Sequence, residues 1–309
     1  MILVSAVLSI HNRSRLFRRA LDGYLWQTLP RESWEIILID DMSNEDLSDT
    51  YKHLIGQINL THLKMDHTRH PVWKARNPNG TKGAFENWYH TPALSINLGA
   101  SFARGSVICL CHPEILHAPH NFEEAVLALN QNYSFLFGLT FLGNLSMNAY
   151  LNGNSDWTKH GWDPFLKKMR DNGQLMNFRP NELYWYTSFL PKRAIETIGG
   201  VDFSYLDGVA GEDDDFKDRV QKAGCLPVYY PKIQGFHQDH SDEKEKHRQR
   251  NTEFWNKGLE HNRALLSARR KTGSYPQHAN QGYDWRARET LVEILEYKVG
   301  IATCSTPRV

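Results

Sequence analysis

VSAVLSIHNRSRLFRRALDGYLWQT, residues 4–28, followed by WEIILIDDMSNED, residues 34–46, decides the fold class. Residues 2–10 are a continuous apolar run ending in the polar turn His11-Asn12-Arg13-Ser14-Arg15. Leu16, Phe17, Ala20, Leu21, Tyr24 and Leu25 then recur at helical spacing. A second apolar run, residues 34–39, stops at Asp40-Asp41-Met42-Ser43, and Leu47, Tyr51 and Leu54 predict another helix. Strands without alternation are buried on both faces, and strands alternating with helices make parallel β-α-β units. Ligands in such sheets bind in the crevice outside the carboxyl ends of the strands, where both polar turns lie.

Further along the chain the same grammar repeats. Residues 71–83 are basic and rich in Pro, Gly and Asn, with Lys74, Arg76 and Lys82, and predict a mobile loop. Ala93 to Ala103 predict a helix ended near Gly105, leading into the strand Val107–Cys111 and then His112-Pro113-Glu114. A helix from about Asn121 to Leu129 and a strand from Tyr133 to Phe141 follow. Residues 143–185, rich in Asn, Gly and Trp, predict a long excursion over the sheet edge. Gly199-Gly200 turns the chain, Gly211-Glu212-Asp213-Asp214-Asp215 opens a helix through Ala223, and Leu226 to Tyr230 is a short strand. Residues 241–271 read as a sparse amphipathic surface helix or helix pair, and 284–299 as a final helix. The expected organisation is one α/β domain over residues 1–240, with a helical C-terminal extension over 241–309.

Composition limits the function classes. Lys plus Arg number 36 against 35 for Asp plus Glu, so the global field does not draw the chain to nucleic acid or anionic lipid. Four cysteines without CxxC spacing suggest neither a structural zinc site nor a disulfide framework. No window reaches 18 apolar residues, so the expectation is a cytoplasmic protein, at most peripheral to a membrane. GxGxxG and GxxxxGK[ST] are both absent, which argues against a dinucleotide oxidoreductase or a P-loop phosphotransferase. Twelve per cent aromatic residues supply flat apolar faces of the kind that meet sugars or bases.

Three constellations carry chemistry. Four adjacent carboxylates, Glu212 to Asp215, exceed what a helix amino terminus needs, and mutual repulsion raises the pKa of one enough to take a proton from an alcohol. Glu114 and His112 from a strand end, with His237 from a distant loop, can share a divalent ion such as Mn2+ or Mg2+. Asp40 and Asp41 can accept hydrogen bonds from a ribose or a base N–H while also closing the turn.

Taken in order, these segments resemble the family 2 type of nucleotide-sugar glycosyltransferases with the GT-A fold. NLGASFARGSVICL, residues 97–110, is similar to the helix leading into the family's metal strand, and IGGVDFSYLDGVAGEDDDFKDRVQKAG, residues 198–224, to its acceptor segment. The GEDDD is closer to galactosyltransferase-like members. The resemblance covers roughly residues 3–240. It implies a Rossmann-like, mostly parallel central sheet flanked by helices, with the nucleotide-sugar half at about 1–115 and the acceptor half at about 116–240. It implies that Ser9, His11 and Arg13 border the nucleotide, that Asp41 binds uracil, and that Asp40 supports the turn. His112-Pro113-Glu114 stands in place of the Asp-x-Asp metal motif, and His237, with Asp239 and His240 beside it, in place of the late metal histidine. Asp213 matches the general base of an inverting transfer, with Glu212 and Asp214 on acceptor hydroxyls.

The implied partners are a nucleotide diphosphate sugar, UDP-sugar first, and a glycan or glycoconjugate acceptor. Trp157, Trp162, Trp185 and Tyr186 are candidates to stack on an acceptor sugar, and Lys74, Arg76 and Lys82 to help the leaving diphosphate. A nucleotidyltransferase, which shares a related sheet topology, is disfavoured because SIHNRSR, residues 9–15, is not a Gly-rich basic signature, and two further readings stand beside the transferase. The first is a catalytically silent carbohydrate-binding or scaffold protein of the same fold. The second, a transferase acting on a nucleic-acid base, would use the basic residues between Lys244 and Lys271.

Overall fold

A computed structural model of the chain describes residues 1–76, 92–144, 150–151, 157–171, 176–177, 185, 187–207, 210–240, 252–276, 280 and 282–305. The deciding stretch folds as expected. β1 (Val4–Ile10) runs into α1 (Ser14–Leu25), and β2 (Trp34–Asp41) lies parallel to β1, with Val4 opposite Trp34 and Ile10 opposite Asp40. Beyond the short helix α2 (Ser48–Tyr51), β3 (Asn59–Met65) pairs parallel with β2. α3 (Pro71–Arg76) and α4 (Ala93–Phe102) precede β4 (Val107–Cys111), which returns to pair parallel with β1 on its other side.

The remainder extends the sheet away from β4. β5 (Ile115–His117), α5 (Asn121–Gln131), β6 (Ser134–Leu142), α6 (Trp162–Asp171) and the two-residue β7 (Met176–Asn177) lead to β8 (Thr187–Pro191), antiparallel to β4. After α7 (Lys192–Ile198) and α8 (Glu212–Lys222), β9 (Leu226–His237) pairs parallel with β6 and antiparallel with β5. α9 (Thr252–Thr272) precedes β10 (Leu291–Lys298) and β11 (Ile301–Ser305). The strand order is β11-β10-β3-β2-β1-β4-β8-β6-β9-β5, with β7 beside β6. The result is a mixed α/β architecture, mostly parallel at its centre and flanked by helices.

Alternation along β1 explains the two cores. Val4, Ala6, Leu8 and Ile10 pack with Phe17, Leu21 and Tyr24 of α1 and with Phe122 of α5. Val7 faces the other side, toward Leu94 and Leu98 of α4, Ile195 of α7 and Phe216 of α8. A third cluster joins Trp26, Trp157, Trp162, Phe165 and Phe236. The Asn-x-Gly segment gains a structural role. Asn97 donates to the carbonyl of Val201 (2.9 Å) and accepts from its N–H (2.7 Å), pinning α4 to the turn before α8. A Cβ at Gly200, where φ is +75°, would lie 2.4 Å from Asn97 Oδ1.

Three expectations are corrected. Residues 284–299 are not a helix. A 3-10 turn, Arg288–Thr290, enters β10, which lies antiparallel to β3 with Lys64 opposite Glu293 and their charges 2.9 Å apart. Leu291, Ile294 and Leu295 have helical spacing, but the exposed backbone edge of β3 recruits them as a strand, and tertiary context overrides propensity. The C-terminal extension is therefore one helix plus two strands of the same sheet. Residues 71–76 form α3 rather than loop, because Pro71 suits a first helical turn and His70 Nδ1 accepts from Val72 N–H (3.2 Å). The third correction is β3 itself, which has no counterpart in the sequence reading because Asn59, Thr61, His62 and Lys64 interrupt its apolar run. Burial pairs two of them: Asn59 Nδ2 donates to the Trp34 carbonyl (3.0 Å), and His62 Nδ1 meets the Tyr51 hydroxyl at 2.7 Å. Among the described residues no helix is long and apolar enough to cross a membrane.

Candidate active site

The register sets the stage. Ile10 lies opposite Asp40 and Leu8 opposite Cys111, so the segments after β1, β2 and β4 leave the sheet along one edge. On that edge His11 Nδ1–H donates to the Asp41 carbonyl (2.7 Å), leaving Nε2 to accept from Asn12 Nδ2 (3.0 Å). The Asn12 N–H donates to Ser43 Oγ (3.0 Å), and Asn44 N–H to Asn12 Oδ1 (2.7 Å), so the two polar turns form one hydrogen-bonded unit. Ser9 accepts from the Ser95 hydroxyl at 2.6 Å. The first turn of α1 is capped from a distance: Glu45 takes Ser14 N–H (2.8 Å) and Ser14 Oγ–H (2.6 Å). A carboxylate thus occupies that helix amino terminus, where an anion is favoured.

The two aspartates divide their tasks. Asp40 accepts from Ser43 N–H (2.9 Å) and lies 3.7 Å from His62 Nε2. Burial would raise its pKa, but His62 and Ser43 hold it below the ordinary value. Asp41 Oδ1 accepts from His67 Nδ1 (2.9 Å), and although burial opposes the charged imidazole, Asp41 raises the His67 pKa. His67 is a site residue that the sequence reading passes over. It lies in a short 3-10 turn, His67–Arg69, with no motif around it, and its only signal is two residues' distance from the end of β3.

His112, Glu114 and His237 come together, their ligand atoms all within 4.8 Å of one another. β5 pairs Ile115 with His237, which brings the loop after β9 to the end of β4. Glu114 is fully buried, and its Oε1 lies 3.0 Å from Arg13 Nη1, 3.4 Å from His112 Nδ1, 3.4 Å from His237 Nε2 and 2.9 Å from His240 Nε2. Burial alone would push the Glu114 pKa up; the Arg13 guanidinium and three imidazoles hold it well below the carboxylate range. Burial lowers the His237 pKa, favouring the neutral ring that metal coordination needs. Glu114 Oε2 is buried and has no hydrogen-bond partner. A buried carboxylate with imidazole nitrogens around one oxygen and no partner on the other fits a divalent metal ion.

The acidic motif does not act as one block. Gly211 has φ +89°, a left-handed turn that glycine allows and that starts α8. Asp215 is fully buried as a structural ion, accepting from Arg219 Nε (2.7 Å), Arg269 Nη1 (2.6 Å) and the Tyr205 hydroxyl (3.2 Å). Asp214 accepts from Lys217 Nζ (2.8 Å) and Arg270 Nη2 (3.1 Å); these cations outweigh burial and lower its pKa. Glu212 and Asp213 have the opposite shift. Burial first, then the charges of Asp213 and Asp214, pushes Glu212 up to about 8, and its Oε2 has no partner. Burial and Asp214 raise Asp213 as well. The mutual repulsion expected from sequence is present, but burial is the larger cause, and two of the four acids are neutralised by arginines of α8 and α9.

Aromatic expectations separate. Trp157 and Trp162 are core residues: Trp26 meets them edge-on at 5.5 and 6.4 Å, Phe165 packs on both, and Trp162 Nε1–H donates to Gln234 Oε1 (2.7 Å). Covered by neighbouring rings, they have no face for a sugar, which corrects the acceptor expectation. Trp185 packs edge-on against Phe216 of α8 (5.0 Å), and its buried Nε1 has no hydrogen-bond partner. Thr187, two residues on, lies opposite Cys111, so Trp185 connects α8 to the β4 end. Tyr186 and Lys82 lie outside the described residues, as does the side chain of Arg76; Lys74 is exposed on α3. Sequence spacing also missed a buried group at the end of β4, Cys109, Cys111 and His117, because CxC followed by a distant His is not a common ligand pattern.

The sequence matches no protein-family model and no curated protein. In fold the chain is similar to S. aureus TarS 1–349 in complex with UDP, with TM-score 0.50 and 11% identity over 80% of this chain and 63% of that one. The same TarS fragment in complex with UDP-GlcNAc gives 0.50 and 11% over 77% and 59%. Mannosyltransferase PcManGT from Pyrobaculum calidifontis, in complex with GDP-Man and Mn2+, gives 0.50 and 14% over 89% and 76%. The chain thus spans less than two thirds of the TarS fragment's length. At these identities the likeness is one of fold, and that fold is the GT-A type.

Proposed function

We propose that the chain is an inverting glycosyltransferase that moves a sugar from a nucleotide diphosphate sugar, UDP-sugar first, to a hydroxyl of a glycan or glycoconjugate. The observation that carries this reading is the consecutive pair Glu212, buried, and Asp213, half-buried, both with raised pKa, on a GT-A fold whose strand ends hold the Asp41 and Glu114 clusters. In this reading Asp41, at the end of β2, takes a base N–H, supported by His67 Nδ1, which holds its carboxylate at 2.9 Å. TarS in complex with UDP and UDP-GlcNAc favours uracil; PcManGT with GDP-Man makes guanine the competitor.

In the proposed reaction Asp213 accepts the proton of the acceptor hydroxyl. That oxygen bonds to the anomeric carbon, the bond from that carbon to the diphosphate oxygen breaks, and the electron pair leaves with the nucleoside diphosphate. One displacement inverts the configuration, and no covalent intermediate forms. Glu212, protonated at neutral pH, donates a hydrogen bond to the acceptor. A divalent ion held by Glu114, His237 and His112 would neutralise charge on the leaving diphosphate. Arg13, beside Glu114, adds a guanidinium suited to phosphate oxygens. Trp185 offers its indole N–H to the acceptor side.

Asp213→Asn is expected to lower transfer by about 10²- to 10⁴-fold with the fold intact. NMR of the wild-type product is expected to show the anomeric configuration opposite to that of the donor. Retained turnover in the variant removes the base, and an unchanged configuration removes the mechanism. One observation favours a second reading, a silent carbohydrate-binding module: Arg13 already places a cation at Glu114. Glycan binding without turnover of any UDP- or GDP-sugar would decide for it.

A further inference from the structure

Glu114 is lopsided. Four donors converge on Oε1, Arg13 and His240 at 3.0 and 2.9 Å and His112 and His237 at 3.4 Å, while the equally buried Oε2 has no partner. One carboxylate oxygen has about two lone-pair sites, so hydrogen bonding does not account for the crowding. It also leaves a buried acceptor orphaned, at a cost of about 1–3 kcal/mol. A cation among the ring nitrogens and the carboxylate removes both difficulties. His240 carries a second sign, since its Nδ1 is buried and has no hydrogen-bond partner, so nothing on that side of the ring explains its place.

The frame around these rings is fixed. Gln238 is fully buried; its side-chain N–H groups donate to the carbonyls of Glu114 (3.0 Å) and Leu16 (2.9 Å), and its Oε1 accepts from Arg19 (3.1 Å). Gly143 N–H holds the His237 carbonyl at 2.9 Å. The residues between His237 and His240 are therefore anchored to the Glu114 backbone. His237 and His240 stand with ring centroids 5.1 Å apart, and His240 Nε2 meets the carboxylate at 2.9 Å, just outside the trio His112, Glu114 and His237 whose ligand atoms all lie within 4.8 Å of one another.

We propose that His112, Glu114, His237 and His240 form one four-donor centre, with His240 as fourth ligand, that takes a late first-row transition ion of the zinc or cobalt class and rejects Mg2+. The inference rests on the reading of this cluster as a metal site and adds the donor set and the ion it selects. Mg2+ requires near-octahedral oxygen ligands and gives up water reluctantly, whereas three imidazoles suit zinc and cobalt. The Arg13 guanidinium at the same carboxylate raises the cost of any dication, and a hydrated Mg2+ has the weakest bonds to offset it.

The test is a Co2+ titration of the full chain followed by visible absorption, with Zn2+ and Mg2+ as competitors. The expected result is the intense bands of four- or five-coordinate cobalt, removed by stoichiometric Zn2+ and unmoved by about a hundredfold excess of Mg2+. His240→Gln is expected to weaken Co2+ binding at least about tenfold and reduce the bands. His240→Cys, which restores a ligand, is expected to recover binding and add a thiolate-to-cobalt charge-transfer band. A weak six-coordinate spectrum indifferent to His240→Gln, or displacement by comparable Mg2+, overturns the proposal. The cobalt signature without any sugar transfer leaves this centre standing and removes the transferase reading. Transfer that persists in chelator, with no cobalt signature, does the reverse.

Discussion

Glu212 and Asp213 are consecutive acids without an ion pair among the described residues, and the charge of Lys217 only partly offsets the rise of Asp213. Burial pushes Glu212 up to about 8, so around neutrality it is a hydrogen-bond donor beside a carboxylate. The consequence for stability has a definite sign. Below about pH 4.5 the group is protonated in both folded and unfolded chains. Between there and about pH 8 the unfolded chain releases the proton and the folded chain keeps it, so stability falls with rising pH by up to about 1.4 kcal/mol per unit. Glu212→Gln abolishes that loss. The variant is expected to match the wild type near pH 4 and to exceed it on the order of 2–4 kcal/mol at pH 9, read from urea unfolding at each pH. Parallel curves for the two proteins would show Glu212 ionised throughout. That this motif holds chemistry is legible from four acids in a row, but the division among them is not. Arg219 is four residues from Asp215 and can be foreseen, whereas Arg269 and Arg270 are more than fifty residues from the motif. The same blindness misplaces Trp157 and Trp162, because a sequence shows an aromatic ring without showing what covers it.

Helix α8 is held by its ions as well as by its apolar face. Arg219 donates to Asp215 and also to the carbonyls of Ile198 (3.1 Å) and Gly200 (2.9 Å), which ties α8 to the end of α7 and the turn beyond. Arg269 of α9 bridges Asp215 and Asp202. The acidic turn is thus clamped on two sides, and its carboxylates gain fixed positions. Arg219→Met keeps the apolar bulk, leaves Asp215 short of a buried partner and orphans two carbonyls. It is expected to cost about 3–5 kcal/mol in chemical unfolding. A loss under about 1 kcal/mol would mean that Arg269 and the Tyr205 hydroxyl suffice for Asp215. Elements with a two-sided apolar pattern, β1, β2 and β4, are readable residue by residue because burial on both faces leaves no room for another pattern. β3 and β10 are not, since each has polar positions made tolerable only by its partner: His62 by Tyr51, Glu293 by Lys64. Strand β10 in particular exists because β3 leaves an edge to fill.

At the scale of the molecule, strand order does what no single motif does. Placing β1 between β2 and β4 sets the Asp41 turn and the Glu114 loop on either side of the segment His11 to Arg13, and antiparallel β8 carries Trp185 and, through Phe216, α8 to the same end. Residues more than two hundred apart in sequence, Arg13 and His240, meet on one carboxylate. A nucleotide diphosphate bound there would touch loops from both sides of β1 and so report on the whole edge. UDP at a hundred times its dissociation constant is expected to stabilise the protein by about 2.7 kcal/mol. For a chain of 309 residues that is a rise of about 4 °C in Tm. The rise should exceed those given by GDP, CDP and TDP, and should require a divalent ion if the Glu114 cluster shares the diphosphate. Asp41→Asn, which keeps the size of the side chain but alters its pairing with both His67 and a base N–H, should remove most of the preference for UDP while leaving the metal requirement in place. A preference for UDP that survives Asp41→Asn would move base recognition away from the end of β2. No shift with any nucleotide would mean that the edge is shaped for a donor it does not bind, and that the fold serves the acceptor glycan alone.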